Sequence, residues 1–123
     1  MRKRGEILEG AERTPATAKH YIVFYDPLDD STFVGAIITH AQNALNAAMS
    51  VDHFKTKDES SEPFKIQYEN SNLVKAKLFK LQDWGPFTRV GELTETGIKF
   101  VEATIDHLEP ETWGDYLVRT HQR

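Results

Sequence analysis

Apolar residues recur with a period near two through much of the chain and near 3.6 in its last third, which predicts strands followed by a helix. Tyr21–Tyr25 (Y-I-V-F-Y) is β-branched and aromatic, and Phe33–Thr39 (F-V-G-A-I-I-T) is apolar nearly throughout. The acidic segment between them, D-P-L-D-D-S-T, supplies a turn, because Pro27 presets its own φ and cannot continue a ladder. The pair reads as an antiparallel hairpin with His20 and Thr39 near one end of a sheet. Phe64–Tyr68 alternates as a half-buried strand. Leu73–Leu81 follows as one strand, with Leu73, Lys75, Lys77, Phe79 and Leu81 on one face and Val74, Ala76, Leu78 and Lys80 on the other.

The intervening segments are less periodic. Gly5–Leu8 reads as a short opening strand and Glu9–Ala18 as a loop. Ala41–Ala48 reads as a helical turn or an irregular crossing, and Met49–Phe54 as a further strand. Lys55–Pro63 is charged and is a surface loop; turns follow at Glu69–Asn72 and at Gln82–Thr88. Ile98, Val101, Ile105 and Leu108 then recur at helical spacing. Thr94 is the expected N-cap and Pro110 the stop, giving a helix over about residues 94–108. Trp113–Val118 is a second short helix or a segment packed on the sheet. Five or six short strands followed by a helix predict a mainly β fold, a small, strongly curved barrel capped by that helix. Residues 1–123 read as a single domain.

Composition narrows the function. A chain of 123 residues, 39% hydrophobic, fits one core. No apolar run approaches the roughly eighteen residues of a membrane span, and the basic start lacks the apolar segment of a signal peptide, so no membrane is expected. The absence of cysteine removes disulfides and thiolate metal sites and leaves a cytoplasmic protein as the expectation. A formal charge of −4 argues against sequence-blind binding to nucleic acid. It leaves room for a local basic groove: Arg2, Lys3 and Arg4 cluster at one end, and Lys75, Lys77 and Lys80 within six residues. Such clusters also occur as plain solvated faces.

The order of these segments resembles the MazF/PemK toxin family, small SH3-like barrels of toxin–antitoxin systems. The family opens with a basic residue and R-G-[ED]-[IV], where Arg4-Gly5-Glu6-Ile7 stands here. A loop, an R-P-V-[LV]-V strand, a turn and a strand ending A-x-[IV]-T follow in the family. The matching segments are His20-Tyr21-Ile22-Val23-Phe24 and Ala36-Ile37-Ile38-Thr39. Leu73–Leu81 with Gly91–Leu108 matches the late strand, turn and helix, so the likeness spans about residues 4–108. It implies a homodimeric, metal-independent endoribonuclease that cuts single-stranded RNA and is silenced by an antitoxin. In that chemistry the 2′-hydroxyl attacks the adjacent phosphate, leaving a 2′,3′-cyclic phosphate and a 5′-hydroxyl. Thr39 matches the family's site threonine. His20 replaces its arginine, Tyr21 the following proline, and Phe79-Lys80-Leu81-Gln82 its R-T-[IV]-D segment.

The residues suit this chemistry in part. His20 titrates near neutrality and is the candidate acid or base. Thr39 is a candidate donor to a phosphate oxygen, and Lys77 or Lys75 a candidate source of positive charge at the phosphorane. Arg4 and Lys75 are candidate RNA-binding cations, and Trp84 in D-W-G-P-F is a candidate base-stacking platform. Each has a plainer role: His20 as a hydrogen-bonded strand end, Thr39 as a strand former, Trp84 with Phe87 as a plug of the barrel end. His40 follows Thr39 and is expected to point away from it. His20, His40 and His53 match no closed zinc motif, so no metal or other cofactor is expected. The alternative function is a non-catalytic SH3-like module that binds a protein partner or RNA.

Overall fold

The computed structural model describes residues 2–10, 21–64, 69–81 and 87–121. Within these, eight strands form one sheet: β1 Glu6–Glu9, β2 Tyr21–Pro27, β3 Thr32–Thr39, β4 Asn46–Ala48, β5 Asn72–Val74, β6 Lys77–Leu81, β7 Thr88–Glu92 and β8 Pro110–Glu111. The order β4-β5-β3-β2-β1-β7 is antiparallel; β6 also pairs with β3, and β8 lies parallel to β6. Helix α1 spans Glu95–Ile105 and α2 spans Trp113–Arg119. The protein is therefore mainly β, an antiparallel sheet with two helices. Among the described residues no helix is long and apolar enough to cross a membrane.

Strand alternation assigns each helix its own face of the sheet. Ile7, Val23, Tyr25, Val34, Ala36, Ile38 and Leu73 point to one side and pack with Val101 and Ile105 of α1. Leu8, Ile22, Phe24, Phe33 and Phe87 cluster on the other side. Ile37, Val74, Ala76 and Leu78 share that second side and pack with Tyr116 of α2. The β2–β3 hairpin lies between, with Tyr21 opposite Ile38 and Ile22 opposite Ile37. The start of β2 and the end of β3 thus lie side by side, as the sequence reading expects.

Two register changes matter for the site. Tyr25 is an extra residue between the Phe24–Gly35 and Asp26–Val34 pairs, a bulge that frees its carbonyl to accept from Arg4 Nε at 3.1 Å. A wider irregularity divides the expected Leu73–Leu81 strand. Gly35 pairs with Leu78 and Ile38 with Leu73, so three steps along β3 are met by five on the facing chain. Lys75 and Ala76 are the two additional residues. An even insertion keeps the facial alternation, so Lys77 and Phe79 stay on the face of Leu73. Lys75 leaves that face: its N–H donates to the Leu45 carbonyl at 3.4 Å, and its Nζ to the Ala44 carbonyl at 3.4 Å.

Other segments differ from the sequence reading for local reasons. Ala41–Ala48 is not helical; Asn43 closes a turn that leads into β4. Met49–Phe54 is not a strand but contains a 3-10 turn, Val51–His53, closed by Ser50 N–H donating to His53 Nδ1 at 3.1 Å. Phe54 keeps one bridge, to Leu93. Strands β7 and β8 have no counterpart in the sequence reading. The expected strand at Phe64–Tyr68 lies largely outside the described residues. The C-terminal helix forms as expected, with the Thr94 hydroxyl accepting from Gly97 N–H at 3.1 Å.

Candidate functional site

Thr39 ends β3 on the side of the sheet that carries α2. It lines a groove of about 170 Å³ with Ile37 and Val74, the turn residues Asn43 and Leu45, Asn46 of β4, and Trp113 and Tyr116 of α2. Register explains the gathering: Thr39 lies opposite Asn72, and Asn46 opposite Val74, so all four share one face. The Thr39 oxygen accepts from Ala41 N–H at 3.2 Å, and among the described residues its hydroxyl proton meets no acceptor.

The two asparagines are fixed by backbone groups. Asn43 Oδ1 accepts from Leu45 N–H at 2.9 Å, an Asx-turn. Asn46 Nδ2 donates to the Ala41 carbonyl at 3.0 Å. A backbone N–H needs an acceptor and a carbonyl needs a donor, so both amide orientations are determined. The Trp113 and Tyr116 rings stack with centroids 5.2 Å apart, and Trp113 remains 40% exposed. Lys75 stands on the turn that forms one edge of this groove.

The other sequence candidates go elsewhere. Lys77 lies on the opposite face: its Nζ donates to the Asp106 carbonyl at the end of α1, 2.8 Å away, and sits 5.4 Å from the Tyr25 ring centroid. There a cation complements the helix terminus, whose last turn holds no basic residue of its own. Arg4 joins Lys77 at Tyr25, its guanidinium 4.0 Å from the ring centroid. It is paired with Asp26 at 2.5 Å and Glu102 at 2.6 Å. Thr39 and Lys77 are therefore not brought together, whereas Lys75 reaches the Ala44 carbonyl of the turn whose neighbouring residues Asn43 and Leu45 line the Thr39 groove. His20 and Trp84 lie outside the described residues. His40 donates from Nδ1 to the Asn70 carbonyl at 3.3 Å, since a carbonyl can only accept. His53 is buried and stacks on Phe100 at 4.5 Å.

A second cleft, of about 570 Å³, opens beside β1 and β7 and is lined by four cationic and four anionic side chains. The buried Glu92 carboxylate meets Lys55 at 2.9 Å, Lys3 at 3.6 Å and Arg89 at 3.6 Å. These charges satisfy one another, which marks the cleft as an ion-pair network. The Thr39 groove instead combines apolar lining with polar groups that keep spare hydrogen-bonding capacity. Asn43, Asn46 and Trp113 are absent from the sequence-derived candidates. The Asn43-Ala44-Leu45-Asn46 spacing carried the signal, as an Asx-turn rather than a helical turn.

No family model, curated protein or solved structure matches this chain.

Proposed function

We propose that the protein is a toxin-like endoribonuclease that cleaves single-stranded RNA without a metal at the Thr39 groove. The 2′-hydroxyl attacks the adjacent phosphate, the bond to the 5′-oxygen breaks, and a 2′,3′-cyclic phosphate remains. The observation that carries this reading is the Thr39 hydroxyl, which lines a groove bounded by the turn whose Ala44 carbonyl holds the Lys75 ammonium. Thr39 donates to a non-bridging phosphate oxygen, and Lys75 offsets the charge that builds on the phosphorane. His20 precedes Tyr21, which pairs with Ile38 beside Thr39, and it is assigned the proton transfer. A closed SH3-like barrel, a homodimer and an antitoxin lying in the groove belong to the same reading, by resemblance.

One observation favours the partner-binding alternative: Arg4 and Lys77 are both engaged within the chain. The deciding experiment incubates purified protein with end-labelled single-stranded RNAs in EDTA and analyses the product ends. Cyclic phosphate ends are expected, with Thr39→Ala slower by about 10²-fold or more and the fold retained. His20→Gln should cost a similar factor. Absence of cleavage across a broad set of RNAs would replace the enzyme by a binding module.

A further inference from the structure

The groove beside Thr39 holds more hydrogen-bonding definition than phosphate chemistry needs. Its volume of about 170 Å³ gives room for one planar heterocycle. Asn43 has committed its oxygen to Leu45 N–H, and among the described residues both of its amide N–H donors are unused. Asn46 has committed one N–H to the Ala41 carbonyl and keeps its oxygen as acceptor. A donor and an acceptor held by backbone bonds complement the mixed donor and acceptor edge of a nucleobase. Trp113 supplies an exposed indole in the same lining, the group on which unpaired bases stack.

We propose that this groove is a reading pocket for a single unpaired RNA base, stacked on Trp113 and hydrogen-bonded by Asn43 Nδ2 and Asn46 Oδ1. This rests on the reading of the Thr39 groove as an RNA site, and it adds the source of base preference. The adjacent phosphate then lies toward Thr39 and Lys75, so the base in the pocket selects the cleaved position.

The test measures binding of four short homopolymeric oligoribonucleotides, 2′-O-methylated so that no attacking hydroxyl is present. The parent should prefer one base. Trp113→Ala should weaken that complex by about tenfold, with Trp113→Phe losing less. Asn43→Ser keeps a hydroxyl acceptor for Leu45 N–H but removes the amide donors, so it should flatten the preference while affinity changes little. Circular dichroism melts report folding. If Trp113→Ala unfolds, Trp113→Phe and Asn43→Ser carry the result. Equal affinity for all four series, a preference indifferent to these substitutions, or no binding would overturn the pocket. Cleavage of unmodified RNA by the parent, indifferent to Trp113 and Asn43, would overturn the pocket and leave the endonuclease standing. Base-selective binding without cleavage would do the reverse.

Discussion

The Tyr25 hydroxyl donates to Asp106 Oδ1 at 2.5 Å and so ties the bulge in β2 to the residue that caps the C-terminus of α1. Burial, together with that carboxylate, raises the Tyr25 pKa. The hydrogen bond in turn holds Asp106 below its ordinary value of 3.8, with Lys77, Arg4 and His107 adding to the effect.

Tyr25→Phe keeps the ring that Arg4 covers and removes only this bond. It should cost about 1 kcal/mol of stability at neutral pH, a typical net hydrogen-bond contribution. Because the folded-state pKa of Asp106 is lowered, its contribution is complete above the unfolded value and is lost as pH falls through the folded one. Urea titrations at pH 7 and below pH 3 should show the gap between variant and parent narrowing in acid. A gap that does not depend on pH would remove Asp106 from the account.

Gly97→Ala offers a sign test at the other end of α1. Alanine is the better helix former by about 1 kcal/mol. A methyl at Gly97, however, would stand 2.2 Å from the His53 carbonyl oxygen, which itself accepts from Thr94 N–H at 2.9 Å. Steric conflict with backbone outweighs propensity, so the urea midpoint should fall. A midpoint that rises would mean that the 3-10 turn gives way freely.

The two neighbouring lysines should separate in function. Lys75→Ala is expected to weaken single-stranded RNA binding and to lower the slope of log K against log salt by about 0.7. Lys77→Ala should leave that slope unchanged and cost about 0.5 kcal/mol of stability through the end of α1. Equal effects of the two on RNA binding would contradict their placement on opposite faces.

Glu92→Gln removes the charge on which Lys3, Lys55 and Arg89 converge. The carboxylate is buried, but Lys3 and Lys55 are largely exposed, so the cost is discounted to about 1–2 kcal/mol. Denaturation at low and high salt provides the check, with the deficit shrinking as salt rises.

What the sequence disclosed follows from how local the controlling physics is. The β2–β3 hairpin and α1 were legible because periodicity and the Thr94 cap are local signals, although β2 runs on through Asp26 and Pro27, which pair with Val34 and Phe33 instead of ending the ladder. The division at Lys75 and Ala76 was not, because L-V-K-A-K-L-F-K-L alternates without interruption. Only the pairing of β3 with two partners in different registers requires it. The same division separates Lys75 from Lys77, although sequence makes them near neighbours. In the groove, Thr39 was legible as a strand end. Asn43, Asn46 and Trp113 were not, because they converge through the β4–β5 pairing and the docking of α2.

The double partnership of β3 also divides the sheet by its resistance to opening. Around Phe33–Gly35 the strand lies between β2 and the five residues of β6, whereas at Ile38 and Thr39 it rests on β5, which has three residues and is followed outward by the three of β4. Short edge elements open locally at a lower free energy than the central ladder. Amide protons of β4 and β5 will therefore exchange with solvent ahead of those shared by β2 and β3, and the groove will breathe while the hairpin beneath it stays closed. A ligand seated against Thr39 would slow exchange in β4 and β5 first, making those few amides a direct reporter of occupancy.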